Sequence, residues 1–192
     1  MYIVFEGIDG AGKSTQIQLL KEWLESNGFR VETLVEPTDS KVGKLIREIL
    51  QSPDATSDRV QKTLGLLFAA DRMFIMDKLE DESKIFISDR SFISSLAYQE
   101  PAEWIEVLNR YAKKPDLLIL LDLDVKKSVA RTSGEDTFEN AEFLTGVKEN
   151  YLKLAENYTH EIIDADKGVN KVSSDIIKAV APYLGICPDC IL

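Results

Sequence analysis

Gly7-Ile8-Asp9-Gly10-Ala11-Gly12-Lys13-Ser14 sets glycine, lysine and serine at the spacing G-x-x-x-x-G-K-[ST]. That spacing suits the holding of the phosphates of a nucleoside triphosphate. Glycines let the backbone curl until successive N–H groups face one anion. A helix opening directly after the loop adds the partial positive charge of its N-terminus. Lys13 then reaches the β- and γ-phosphates, and the Ser14 hydroxyl is offered to Mg²⁺. A glycine-rich turn with a chance lysine is the plainer reading. The apolar run before the loop and the helical pattern after it argue against that. The loop alone does not separate kinase, ATPase and GTPase.

Asp89-Arg90 closes another apolar run. A carboxylate at the carboxyl edge of a sheet can hold Mg²⁺ directly or through water. A helix cap is its plainer role. The Arg90 guanidinium fork suits the paired oxygens of a monophosphate, against a surface ion pair as the alternative.

These residues need a frame, and short apolar runs alternating with helical periodicity supply one. Residues 2–5 read as a buried strand, 13–27 as a helix stopped by Gly28, and 29–35 as a second strand. Residues 40–51 and 57–80 read as helices, with Leu64, Leu67, Phe68 and Ile75 on one stripe. Strands at 85–88 and 116–123 enclose helices at 94–98 and 102–113. Helices at 125–132 and 139–157, a strand at 161–164 and a helix at 169–184 follow. Strands separated by helices imply an α/β protein whose parallel sheet is covered on both faces. The length of 192 residues suits one domain.

Composition narrows the partners. Apolar residues at 44% and charged residues at 29% exclude a disordered chain. A formal charge of −10 argues against general binding to nucleic acid or an anionic membrane. Phosphates must therefore be handled in a local pocket. No apolar run nears the roughly 20 residues of a membrane span. The N-terminus shows no basic stretch or export site, so a cytoplasmic protein is expected. Cys187 and Cys190 form a lone CxxC. It lacks the second ligand pair of a zinc site. A tail without special chemistry is the simpler reading, with a redox pair or a metal shared between subunits as the others.

Several segments together resemble the thymidylate kinase family of P-loop nucleoside monophosphate kinases. Phe5 to Thr15 is similar to its opening, and Glu36-Pro37-Thr38 to its proline turn after the second strand. Leu66-Leu67-Phe68-Ala69-Ala70-Asp71-Arg72 resembles its nucleobase helix. Ser88-Asp89-Arg90-Ser91, with Ser94, Ser95 and Tyr98, resembles its Asp-Arg-Tyr segment. Leu121-Asp122-Leu123-Asp124 with Arg131 resembles the strand and helix before its lid, and Ile163-Asp164-Ala165 the segment near adenine. The likeness runs from about residue 2 to about residue 180.

The resemblance implies a P-loop kinase fold, three-layer α/β/α with a five-stranded parallel sheet. It also implies a short lid at about 132–142, before a CxxC tail at 185–192. The implied reaction passes the γ-phosphoryl of ATP to dTMP, with Mg²⁺, in dTTP biosynthesis. The implied ATP contacts are Gly7, Ile8, Asp9, Gly10, Ala11, Gly12, Lys13, Ser14, Thr15 and Arg131. The implied dTMP contacts are Asp9, Pro37, Arg47, Phe68, Arg72, Arg90, Ser95 and Tyr98. Lys13, Asp89, Arg90 and Arg131 are the expected catalytic set, and Ser14, Asp89 and Asp9 the expected metal contacts. Phe68 and Arg72, at i and i+4, share a helix face. A ring there can stack on a pyrimidine while the guanidinium donates to a ring carbonyl. Read from residues alone, Phe68 is plain core, and the resemblance reverses that. Tyr98 would crowd a 2′-hydroxyl, and Asp9 would accept from the acceptor's 3′-hydroxyl or join the Mg²⁺ shell. Arg47 would be the second phosphate arginine, though an exposed helical arginine is common. The family is usually a homodimer.

Two departures stand out. Relatives carry a catalytic arginine in the phosphate loop or in the lid. Here the loop has Gly10, and the segment from Thr132 to Asn140 has no Lys or Arg. Arg131 is the expected substitute, ahead of Lys148 and Lys153. Ser91 stands where a tyrosine is usual. The alternatives to a dTMP kinase are a kinase for another nucleoside monophosphate, or a nucleotide-binding regulatory paralogue with little turnover.

Overall fold

The computed structural model describes residues 1–132 and 141–186. Most of the expected lid, together with Cys187 and Cys190, lies outside them. Strands β1 (Tyr2–Glu6), β2 (Val31–Val35), β3 (Ile85–Asp89), β4 (Leu117–Asp122) and β5 (His160–Asp164) form one sheet. Their order is β2-β3-β1-β4-β5 and every pairing is parallel. The central strand β1 is buried at every residue. A strand covered on both faces must be apolar throughout, which is why Tyr2-Ile3-Val4-Phe5 runs without alternation. At the edges the pattern loosens, and Val35 in β2 and Ile162 in β5 are exposed. The expected five-stranded parallel α/β arrangement is present.

The helices are α1 (Lys13–Ser26), α2 (Lys41–Leu50), α3 (Asp58–Met73), α4 (Phe92–Tyr98), α5 (Ala102–Leu108), α6 (Val125–Arg131), α7 (Ala141–Ala155) and α8 (Val169–Val180). Three end before the periodicity suggested. After Met73 the chain tightens to i→i−3 bonds from Phe74 and Ile75, then forms a 3₁₀ turn at Asp77–Glu80. Ile75 and Leu79 stay buried, so the apolar stripe continues although the α-helix does not. The α5 helix stops because Asn109 turns its amide back onto the Ile105 carbonyl at 2.8 Å. After α8 a 3₁₀ turn at Ala181–Leu184 takes over, and Pro182 within it has no N–H to continue an α-helix.

The segment 36–40, between β2 and α2, is clamped from two sides. The buried Asp71 carboxylate accepts from Thr38 N, Thr38 Oγ1 and Ser40 Oγ, each at 2.6 Å. Arg47 donates to the carbonyls of Pro37 (2.5 Å) and Thr38 (2.8 Å). Gly43 of α2 packs so closely that a Cβ there would lie 1.9 Å from Thr38 O. Backbone must move to admit one, so Gly43→Ala should cost about 2 kcal/mol. Melting followed by circular dichroism should show a Tm lower by roughly 4–8 °C. An unchanged Tm would mean that the segment yields freely.

Candidate active site

Gly7 follows β1 with φ 140°, and a Cβ there would sit 2.6 Å from Leu121 O. Only glycine lets the loop leave the sheet beside β4 this way. Lys13, at the start of α1, is 7% exposed. Its Nζ donates to Gly7 O (2.9 Å) and Ile8 O (3.3 Å). Burial first, then Arg90, pushes the amine down to about 8, against the pull of Asp9, Asp89 and Glu6. The ammonium is held ready for a stronger anionic partner.

Ser14 Oγ donates to Asp89 Oδ2 at 2.8 Å, joining the first turn of α1 to the end of β3. Both line a cleft of about 400 Å³ with Gly10, Gly12, Lys13, Thr15 and Arg90. A hydroxyl and a carboxylate side by side are hard oxygen donors that fit Mg²⁺. Ile8 and Ala11 bury their side chains in the core, so only their backbone is left for a phosphate.

A second cavity, of about 220 Å³, opens next to the first. Pro37, Phe68, Arg72, Arg90, Ser95 and Tyr98 all line it, and Asp9, Glu36 and Arg90 line both. Phe68 is half-buried and faces the cavity, so it is not plain core. Arg72 is held within the wall. Nε donates to both Glu36 oxygens (3.0 and 2.9 Å), and Nη2 donates to Glu36 Oε2 at 2.5 Å. Nη1 donates to Asn109 Oδ1, and Nη2 reaches Ser95 Oγ at 3.5 Å. Burial pushes the Glu36 carboxyl up and Arg72 opposes it. Glu36 and Asn109 have no role that the sequence alone signals. Nor does Gln99, whose Oε1 is buried at the cavity without a hydrogen-bond partner among the described residues, as is Tyr98 Oη. Only the proximity of Gln99 to Tyr98 in sequence could have signalled it.

Arg90 joins the two cavities. Its φ is 72°, a left-handed conformation that costs a non-glycine residue roughly 1–2 kcal/mol. Arg90 N donates to Phe5 O (3.0 Å), and Ser88 Oγ donates to Arg90 O (2.7 Å). The guanidinium donates to Asp9 Oδ1, Ser94 Oγ (3.0 Å) and Tyr151 Oη (3.2 Å). It also lies over the Tyr98 ring at 5.4 Å. Burial pushes the Asp9 carboxyl up, and Arg90 with Lys13 more than reverses this, leaving it below the usual range. Asp9 thus faces Arg90, whereas Ser14 and Asp89 face each other.

The remaining basic candidates separate. Arg131, the last residue of α6, donates from Nη1 to Gly10 O at 2.9 Å. One turn earlier Ser128 Oγ donates to Asp9 O at 2.6 Å. Lys148 is taken by Asp122 (2.6 Å) and the Leu123 carbonyl (3.1 Å). Arg47 is absent from the residues lining either cavity, because the 36–40 carbonyls hold its guanidinium.

A loop with the triphosphate-binding spacing at the carboxyl edge of a parallel sheet, sharing one arginine with a second adjoining cavity, is the arrangement of a nucleotide-dependent kinase of the P-loop class. The family model described as thymidylate kinase matches residues 5–176. A probable thymidylate kinase of Methanobrevibacter smithii is 78% identical over 191 residues, covering the whole of both chains. One from Methanosphaera stadtmanae is 50% identical over 194 residues, covering 96% of this chain and 99% of its own. One from Methanothermobacter thermautotrophicus is 47% identical over 189 residues, covering 97% of each. The chain belongs to the thymidylate kinase family.

Proposed function

We infer that the protein transfers the γ-phosphoryl of ATP to dTMP, giving ADP and dTDP. Family membership and the sharing of Arg90 between two adjoining cavities support this reading. Lys13 and the loop N–H groups of Gly7 to Thr15 take the ATP phosphates. Arg90 holds the dTMP phosphate, with Arg47, fixed beside Pro37, as the second cation offered to it. Asp9 accepts from the 3′-hydroxyl, and Tyr98 leaves no room for a 2′-hydroxyl. Phe68 stacks on the base against Pro37. Arg72 carries only donors, so it favours a pyrimidine carbonyl over an amine. Ser95 and Gln99 finish the base contacts. Ser14 and Asp89, with Asp9 nearby, would hold Mg²⁺, which supplies charge neutralisation at the β- and γ-oxygens. Arg131 stabilises the phosphoryl in flight.

One domain carries all of this. No helix among the described residues is long and apolar enough to cross a membrane. We place the protein in the cytoplasm, with no nucleic acid or membrane partner. We read it as a homodimer, a state supported by exposed Leu66, Met73 and Phe74 on one helix and its end. Chromatography of a reaction with Mg·ATP and dTMP tests the chemistry. ADP and dTDP should appear in equal amounts, and ATP loss without dTDP would refute the transfer.

A further inference from the structure

Glu6, the last residue of β1, is fully buried beneath Arg90, and no step above uses it. It accepts four hydrogen bonds: from Ser91 Oγ (2.8 Å), Ser94 N (3.2 Å), Ser94 Oγ (2.6 Å) and Tyr151 Oη (2.9 Å). A hydroxyl has one proton to give and lone pairs to receive. With the Ser94 and Tyr151 protons turned to Glu6, only their lone pairs remain for Arg90. Arg90 Nη1 donates to both, at 3.0 and 3.2 Å. Burial pushes the Glu6 carboxyl up, and Arg90 with the Ser94, Ser91 and Tyr151 hydroxyls pulls the other way.

Arg90 therefore has two acidic anchors of different kinds. Asp9 touches it directly, and the Asp9 side chain is 46% exposed, so an arriving phosphate can displace it. Glu6 is reached only through the two hydroxyls and has no exposure, so nothing entering the cavity competes for it. We propose that Tyr151, backed by Glu6, is a positioning residue that keeps the Arg90 guanidinium aimed at the acceptor phosphate. Glu6 fixes the Tyr151 and Ser94 hydroxyls as acceptors for Arg90. This rests on the reading of Arg90 as the phosphate anchor.

Calorimetric binding of dTMP and of thymidine to Tyr151→Phe, Arg90→Ala and the double variant tests it. Phenylalanine keeps the ring beside Tyr98 and removes only the hydroxyl. Tyr151→Phe should weaken dTMP about tenfold, the worth of one hydrogen bond to a charged group. Thymidine, which has no phosphate, should bind within about twofold of the parent. In the Arg90→Ala background, Tyr151→Phe should add less than about twofold, since coupled residues are not additive. Glu6→Gln, which can turn an amide proton toward the hydroxyls, should repeat the dTMP-selective loss. Parent-like dTMP affinity in Tyr151→Phe overturns the proposal, as does an equal loss for dTMP and thymidine, which marks general loosening. If Arg90→Ala itself binds dTMP normally, the anchor reading fails and takes this one with it. A weak Arg90→Ala beside a parent-like Tyr151→Phe sinks the relay alone.

Discussion

Arg131→Ala should lower kcat with dTMP by about 10³-fold while both KM values stay within a few-fold, the pattern of a charge that acts in the transition state. Phosphoryl transfer spreads negative charge over the moving group, and a guanidinium beside it can contribute several powers of ten in rate. The sequence carries no Lys or Arg from Thr132 to Asn140 and has glycine in the loop. Arg131 is the residue proposed to answer both gaps. Its Nη1 reaches Gly10 O at 2.9 Å, and a Cβ on Gly10 would lie 3.2 Å from Arg131 Cβ. A loop arginine and Arg131 would thus crowd the same space. Ser128 ties the same helix to Asp9 O, so α6 is docked on the loop before nucleotide arrives. Arg131 is exposed, so the variant should fold and melt like the parent. Steady-state kinetics decide it, and a near-normal kcat would remove Arg131 from the chemistry.

Arg90→Ala should raise the KM for dTMP by about 100-fold, or roughly 2.7 kcal/mol, with the KM for ATP changed far less. Two charge-assisted bonds to phosphate are lost, and Asp9 is left facing the acceptor without its cation. The repulsion between Asp9 and a bound monophosphate adds to the loss. Arg90→Lys should recover only part of it, because an ammonium keeps the charge and loses the fork. An unchanged dTMP KM in Arg90→Ala would show that another group holds the acceptor.

The legible parts of the site lie in short contiguous motifs. Residues 7–15 and Asp89-Arg90 are read from neighbours because each follows a strand whose apolar run is itself visible. The covered central sheet was legible for the same reason. The polar contacts that set the site in place were not, since they join distant segments. Glu36 and Arg72 are 36 residues apart, and Glu6 and Tyr151 are 145 apart. Such pairs leave no period in the sequence. Asp71 and Asn109 are hidden likewise, one clamping the proline segment and the other holding Arg72. The helices α3 and α5 end before their apolar periodicity does, because an apolar stripe persists through a 3₁₀ turn and because one asparagine amide can end a helix. That the Arg47 guanidinium donates to the carbonyls of Pro37 and Thr38 was equally hidden, since no local pattern marks a side chain bonding backbone nine or ten residues before it.

The reaction to be measured is dTMP phosphorylation by a site whose lid sequence has no basic residue. Acceptor-dependent ADP release with Mg·ATP, compared across dTMP, dUMP, dCMP, dGMP and dAMP, tests it most directly. Turnover of at least about 1 s⁻¹, typical of enzymes, is expected, with dTMP preferred over the other four. ATP binding without ADP release for any acceptor would contradict it, and so would a preference for a monophosphate other than dTMP.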